Sequence, residues 1–361
     1  MRVFFVCPFN LKRLTGTPIR TVSTINAVSR FSDVSVATTG GEILNNAVRF
    51  YTTEKVGILR FSRQVLGLLT KERPDVVHGV STLSVIPILF YRLFLNRKSK
   101  MIFEIHGWSW FESKKFVSLL KRFVFLMLDM LGFVFSDKVI SMSFTQKDFL
   151  QKILFKKRDV EVIWGPVDFE VKFKELPKRE IFKVGYLGND SFWQGIESIV
   201  GAAKLLEQNK KIFFYLAGFE AKDNDRFPKT ENIQYVGKLA RTEITSFICD
   251  MDVMVSPRIK GKVSDLQYPQ KLSEYLACGR PVIVSDTNDQ KIIINKAKCG
   301  IVLNEVTHLS LKSAIEDIYS LSLEEKNLMG KNASIFADEH FSFEVFANKI
   351  RKIYKSLQPQ N

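Results

Sequence analysis

Histidine and cysteine are scarce, with four of each among 361 residues. Cys7, Cys249, Cys278 and Cys299 sit in or beside apolar runs with no C-x-x-C spacing. Neither a disulfide framework nor a zinc site is indicated, and the thiols fit a reducing compartment. Long apolar runs are missing as well. None reaches the roughly twenty residues that a bilayer span requires, and residues 1–9 are too short for a signal peptide, ending through Pro8 as a first buried strand does before its loop. No internal repeat is visible, which argues against a solenoid or propeller. Helix-turn-helix, zinc-finger and RNP patterns are absent, so nucleic acid is not expected as a partner. Asp250 and Asp252 have the Asp-x-Asp spacing of some metal sites, but they lead into an apolar strand, and no bound metal is expected.

Hydrophobic residues make up 46% of the chain and charged residues 25%, with a net charge of +15. That composition belongs to a globular protein, and the length suggests two domains of about 170 residues each. The charge is unevenly placed. Residues 1–175 carry 27 Lys and Arg against 15 Asp and Glu, whereas the remainder carries 26 against 23. Basic helices with interleaved aromatics suit an anionic lipid surface, and the segments 85–100 and 114–135 qualify. Within the second, residues 123–135 read as a buried core helix, leaving the Lys/Arg-rich ends as the membrane candidates. The expected location is cytoplasmic, peripheral on the inner face of the cell membrane.

Short apolar runs alternate with amphipathic stretches along the whole chain. Strands are predicted at 3–7, 34–38, 76–78, 102–105, 138–141 and 160–163, with helices at 18–30, 58–71, 83–95, 115–135 and 144–155 between them. A second series follows, at 183–187, 213–217, 233–235, 252–255, 282–284 and 300–303. Two strand–helix series imply an α/β protein with two doubly wound, Rossmann-like parallel sheets. The predicted domains are 1–170 and 181–340, joined by a Lys-rich linker at 171–180 that contains Pro177, with a last helix over about 343–357.

The densest chemistry lies at 256–286. Two β-branched runs flank a short helix in which Lys271 and Glu274, three residues apart, share a face while Leu272, Tyr275 and Leu276 point elsewhere. An ammonium suits phosphate there, and a carboxylate suits ribose hydroxyls; the alternative is a surface ion pair worth about 0.2–0.5 kcal/mol. A second motif runs from Val184 to Gly195, an apolar strand leading through a glycine-containing loop into a helix. Free N–H groups at such a helix start attract an anion, and glycine permits its close approach.

The order Pro269, Lys271, Glu274, Tyr275, Gly279, Pro281, Val282 resembles the donor-binding core of family 4 retaining glycosyltransferases, written Pro-x-Lys-x-x-Glu-Tyr-x-x-x-Gly-x-Pro-Val. The resemblance implies the GT-B fold, with the last helix, 341–361, crossing back to the first domain and an acceptor-side first domain facing a nucleotide-sugar domain across a cleft. The family's Gly-Arg-x-x-x-x-Lys-Gly loop keeps its frame here at Gly188 and Gly195, but Asn189 replaces the Arg and Gln194 the Lys. Arg258, Lys260 and Lys262 are candidates to compensate. The family's Glu-x(7)-Glu pattern is also broken: Glu274 fits the second position, which the resemblance assigns to ribose, and Leu266 stands at the first. Donor hydroxyls would then be read by Asp265, Gln267 or loop amides.

Weaker likenesses reach into the first half. Residues 164–168, Trp-Gly-Pro-Val-Asp, resemble the family's Asn-Gly-Val-Asp; 75–78 resemble its Asp-Ile-Val-His strand; and 103–107 end in His106, which the resemblance places at the donor sugar, although a lone His after an apolar strand is commonly structural. Gly16 and Thr17 take the place of a glycine pair that approaches acceptor and diphosphate. The activity implied is a retaining, metal-independent transfer from a nucleotide-diphosphate sugar to a lipid-linked or polysaccharide acceptor in cell-surface glycan biosynthesis. Lys271 and the Gly188 loop would hold the diphosphate, and no cofactor is needed beyond that co-substrate. The alternatives are a degenerate binding protein, which Asn189 and Gln194 would suit, and a nucleotide-sugar epimerase, which four histidines serve poorly.

Overall fold

The computed structural model describes residues 1–12, 16–41, 47–53, 57–112, 118–153, 159–169, 171–220 and 230–358. The chain divides into two compact units: Met1–Pro166 with Leu266–Tyr268 and Phe343–Asn361, and Val167–Asp265 with Pro269–Ser342.

The first unit holds a seven-stranded parallel sheet in the order β3-β2-β1-β4-β5-β6-β7. Its strands are β1 (Arg2–Cys7), β2 (Asp33–Thr38), β3 (Val48–Thr52), β4 (Val76–Val80), β5 (Lys100–Ile105), β6 (Lys138–Ser141) and β7 (Val160–Val162). Burial on both faces explains why β1 is apolar from Val3 to Cys7. Val3, Phe5 and Cys7 point to one core, which they share with Phe346, Ile350 and Tyr354 of the last helix, Phe343–Lys355. Phe4 and Val6 point to the other, against Phe61, Val65 and Phe103. The sequence pattern misses β3, since in Val-Arg-Phe-Tyr-Thr only Val48 is buried. As an edge strand it pairs with β2 alone, Val36 opposite Phe50, and its Arg49 faces Asp33 at 2.9 Å.

The second unit repeats the winding with six parallel strands in the order β10-β9-β8-β11-β12-β13. These are β8 (Phe182–Leu187), β9 (Ile212–Ala217), β10 (Ile233–Gly237), β11 (Val253–Ser256), β12 (Val282–Ser285) and β13 (Gly300–Leu303). The helices Ile196–Leu205 and His308–Ser320 close one face over Val184, Phe214, Val253 and Ile283.

Three differences from the sequence reading have physical causes. The stretch 171–180, expected to be a free linker, packs within the second unit, because Arg280 Nη2 donates to the Lys174 carbonyl at 2.5 Å and Leu176 N to Asn327 Oδ1 at 2.7 Å. The unit boundary accordingly falls after Pro166. The helix expected at 83–95 divides into a short turn at Thr82–Ser84, an α-helix at Val85–Phe90 and a wider turn at Tyr91–Leu95, where Asn96 N donates to the Tyr91 carbonyl at 2.8 Å.

The third difference is the largest. Residues 123–135 do not form a core helix: in the helix Leu119–Phe135 only Asp129, Gly132 and Phe133 are buried, while Leu119, Leu120, Phe123, Met127 and Leu131 are exposed. Gly132 sets this geometry, since a Cβ there would lie 2.8 Å from Val85 Cγ2. The contact is therefore a narrow stripe. Lys114 and Lys115, named above as basic membrane candidates, lie outside the described residues.

Asp129 is 1% exposed, and burial pushes its carboxyl up to about 7, with a hydrogen bond to Thr82 opposing the rise. A folded-state pKa above the unfolded value of 3.8 gives stability that is present below 3.8 and lost as pH rises through about 7. Asp129→Asn, which cannot ionise, is therefore expected to be more stable than the parent by about 2–4 kcal/mol at pH near 8 and indistinguishable from it at acid pH. Urea unfolding at both pH values checks this, and an equal effect at both would refute it.

Candidate functional site

In doubly wound sheets, ligands bind at the carboxyl ends of the strands where the winding reverses. In the second unit that point lies between β8 and β11. Beyond β8 the chain enters Gly188 at φ +155°, makes a single turn over Phe192–Gln194, and passes Gly195 at φ +72° into the helix Ile196–Leu205. Both glycines are required. A Cβ on Gly195 would sit 1.9 Å from the Pro257 carbonyl oxygen, beyond β11, and one on Gly188 would sit 2.7 Å from Tyr186 Oη and 3.1 Å from Lys271 Nζ.

Lys271 arrives on the helix Gln270–Ala277, which is docked by Tyr275. The Tyr275 hydroxyl donates to the Leu187 carbonyl at 3.1 Å and accepts from the Leu187 amide at 2.9 Å, fixing the helix to the last residue of β8. Lys271 Nζ then donates to Gln194 Oε1 at 2.9 Å and lies 4.1 Å from the centre of the Tyr186 ring. Burial, with Arg258 adding repulsion, pulls this amine well below its ordinary pKa. Gly188 and Gln194 on the loop and Lys271, 77 residues beyond Gln194, thus converge on one point. Asn189 does not reach it by its side chain, whose Oδ1 instead accepts from the Ser191 amide at 3.1 Å. Of the three cations proposed to compensate, Arg258 is 2% exposed and its Nη1 donates to the Ser264 carbonyl at 3.2 Å. Lys260 and Lys262 are exposed, so the loop brings one cation inward rather than three.

Glu274, one helical turn on, is 4% exposed. Its Oε1 accepts from Arg241 Nη1 at 2.5 Å, and Arg241 Nη2 also donates to Asp168. Burial raises the Glu274 carboxyl above its ordinary range and Arg241 opposes that rise. Sequence reasoning missed Arg241, which stands in a polar stretch with no pattern around it. Asp168 was visible only as part of a motif.

The remaining candidates fall in the first unit. Leu266 is 3% exposed in its core, with its carbonyl accepting from Gln146 Nε2 at 3.0 Å. A carboxylate could not occupy that apolar position, which accounts for the broken Glu-x(7)-Glu pattern. Gln267 stands beside Gly107, where a Cβ would lie 3.2 Å from Gln267 Cγ. Asp265 stays in the second unit, its carboxyl raised by burial against the pull of Lys260.

His106, just beyond β5, is 7% exposed, and its Nε2 lies 3.1 Å from Glu104 Oε1. Burial lowers its pKa, so the ring is neutral at physiological pH. Glu104, which carried no signal in its apolar strand, is the hub: it also meets Arg20 Nε at 2.6 Å and His78 Nε2 at 3.1 Å. Gly16 and Thr17 open the helix Gly16–Ser29, where the Thr17 carbonyl accepts from Thr21 Oγ1 at 2.8 Å. The residues before them, 13–15, lie outside the described part. Asp250 and Asp252 are structural, holding Lys183 Nζ and the Lys183 amide at 2.7 Å each. Among the described residues no group of three or more His, Cys, Asp or Glu could hold a metal ion.

Two family models match the chain in succession. Residues 30–171 match Glycosyltransferase Family 4, and residues 168–336 match Glycosyl transferases group 1. An uncharacterized glycosyltransferase of Methanocaldococcus jannaschii is 23% identical over 281 residues, spanning 72% of this chain and 69% of the relative. Among solved structures, sucrose-phosphate synthase of Thermosynechococcus elongatus superposes with a TM-score of 0.82 at 15% identity, over 99% of both chains. Anabaena HepE in complex with UDP-glucose does so at 0.73 and 15% identity, over 99% of this chain and 100% of its own. Two Rossmann-like parallel-sheet units, a glycine loop and lysine at the reversal point of the second, and both family models in order place this chain in family 4 of the GT-B glycosyltransferases.

Proposed function

We propose that this glycosyltransferase uses a nucleotide-diphosphate sugar and transfers it, with retention and without a metal ion, to a lipid-linked or polysaccharide acceptor in cell-surface glycan biosynthesis. The observation that carries the donor assignment is the meeting of Gly188, Gln194 and Lys271 at the β8/β11 reversal, where a glycine loop, a helix start and a part-buried amine come together. Such a point favours an anion, and Lys271 would take up a proton as the diphosphate arrives. Glu274 Oε1 is held by Arg241, so its Oε2 accepts from the ribose hydroxyls. Lys271 and the loop amides stabilise the charge that grows on the departing diphosphate. His106 is assigned to the donor sugar on the resemblance alone. The UDP-glucose complex of HepE supports the donor class. The basic first domain supports a cytoplasmic enzyme peripheral to an anionic membrane; among the described residues no helix is long and apolar enough to cross one.

Thermal unfolding in the presence of UDP, GDP, ADP and CMP tests this reading. A ligand that binds the folded state alone, present at about one hundred times its Kd, adds about 2.7 kcal/mol. For a protein of this size that corresponds to a rise of about 4 °C. One nucleotide is expected to give that rise, and Lys271→Ala and Glu274→Ala to abolish it. No rise with any nucleotide would favour a binding protein with a decayed site.

A further inference from the structure

The exposed helix Leu119–Phe135 does not stand alone. The segment 85–95 packs along it through Val85 and Gly132, and Arg92 joins their ends by donating to the Phe135 carbonyl and pairing with Asp137 at 2.8 Å. This segment also turns apolar side chains outward: Phe94 is 71% exposed, and the Phe90 ring lies tilted beside it with centroids 5.0 Å apart. Leu119 and Leu120, 67% and 75% exposed, stand at the other end of the helix, and Phe123, Met127, Leu131 and Phe135 between the two ends are exposed as well, so an apolar stripe runs along the first unit. Isolated exposed leucines are ordinary, but a cluster of large apolar residues marks an interaction surface.

Where both elements end, the character of the surface changes. Lys98 and Lys100 after the first, and Lys138 after the second, line an open cavity of about 1000 Å³ together with Arg2 and Arg73. Asp75 and Asp137 also line it and pair with Arg2 and Lys100, and Lys138 pairs with Asp159 at 2.7 Å, so the excess positive charge of the cavity comes from Arg73 and Lys98. An apolar face bordered by a cationic depression matches the boundary between the acyl chains and the headgroups of an anionic membrane.

We propose that this face is a monotopic membrane-docking surface, with Leu119, Leu120, Phe90 and Phe94 entering the interfacial layer and the Arg73–Lys98 cavity receiving an anionic phospholipid headgroup. It rests on the membrane-peripheral reading above and makes it specific, since the apolar residues, and not the basic ends alone, carry the contact. A second copy of this chain fits less well, because a two-fold interface would bring the same cations together.

Vesicle co-sedimentation of the full chain tests the proposal, with phosphatidylcholine alone and with equal parts of phosphatidylcholine and phosphatidylglycerol, at physiological salt. Binding to the anionic vesicles is expected. Phe94→Glu with Leu120→Glu, both at exposed positions, should weaken it by more than about tenfold. Arg73→Gln with Lys98→Gln should weaken it by about 25-fold, roughly fivefold for each cation, and leave binding to the neutral vesicles unchanged. Nucleotide-induced thermal shifts in these variants should equal the parent's, so a failed donor site and a failed membrane face are read separately. Equal vesicle binding by the parent and both double variants would overturn the proposal. So would a lipid-free dimer that Phe94→Glu converts to a monomer.

Discussion

Lys271→Ala is expected to lower transferase turnover by about 10²–10³-fold, the effect of removing one preorganised group that stabilises developing negative charge, about 2.7–4 kcal/mol. The expectation is set at the high end of single-residue effects because Asn189 and Gln194 stand where the resemblance expects two cations. On the proposed reading, Lys271, with buried Arg258 near it, is left to meet the leaving diphosphate. Burial and Arg258 hold the amine well below its ordinary value in the free protein. A bound diphosphate would oppose that lowering, so binding is expected to be linked to proton uptake and to weaken as pH rises. Initial rates measured with the nucleotide sugar identified by thermal shift give the turnover. Calorimetry in buffers of differing ionisation enthalpy gives the proton. Turnover within about threefold of the parent would remove Lys271 from the mechanism.

The second large effect is on stability. Arg20→Met should cost about 3–5 kcal/mol, because it leaves Glu104 as a buried charge without its main partner. Arg20 and Glu104 are both fully buried, 2.6 Å apart, and Arg20 Nη1 also donates to the Trp164 carbonyl at 2.9 Å. Burial alone would raise the Glu104 carboxyl, yet Arg20, helped by His106 and His78, holds it well below its ordinary range. A depressed folded-state pKa gives stability that is present above the unfolded value of 4.5 and lost as pH falls below it. The parent should therefore weaken in acid while Arg20→Met changes little there. Replacing both residues by apolar ones of similar size should recover most of the loss at neutral pH, since a buried ion pair is costly mainly when half of it is removed. Urea unfolding of the parent, the single and the double variant decides the matter. A single variant within about 1 kcal/mol of the parent would show that Glu104 finds compensation elsewhere.

The alternation of apolar runs with amphipathic stretches was enough to read both sheets, because a parallel strand buried on two faces is apolar at most of its positions. β1 and β12 show this directly, every residue of Val282–Ser285 being buried. The same rule explains why β3 escaped: an edge strand has a side that can carry Arg49. It also explains the misreading of 123–135. An apolar run records only that its residues leave water, not what they leave it for, and here Gly132 admits one thin contact while Leu119, Leu120, Phe123, Met127 and Leu131 face outward.

At the site, spacing along one helix placed Lys271 beside Glu274, and the glycine frame located the loop, since both are local relations that a chain cannot evade. Arg241, Glu104 and Arg20 became visible only in three dimensions. Their roles come from charges brought together across 33 residues in one case and 84 in the other, and long-range pairing leaves no periodic trace. Sequence alone thus determined the winding of the two sheets and the glycine frame of the loop in the second. Tertiary structure decided which cations turn inward, which carboxylates are neutralised, and which apolar helix is left facing outward, because burial and pairing depend on every neighbour at once.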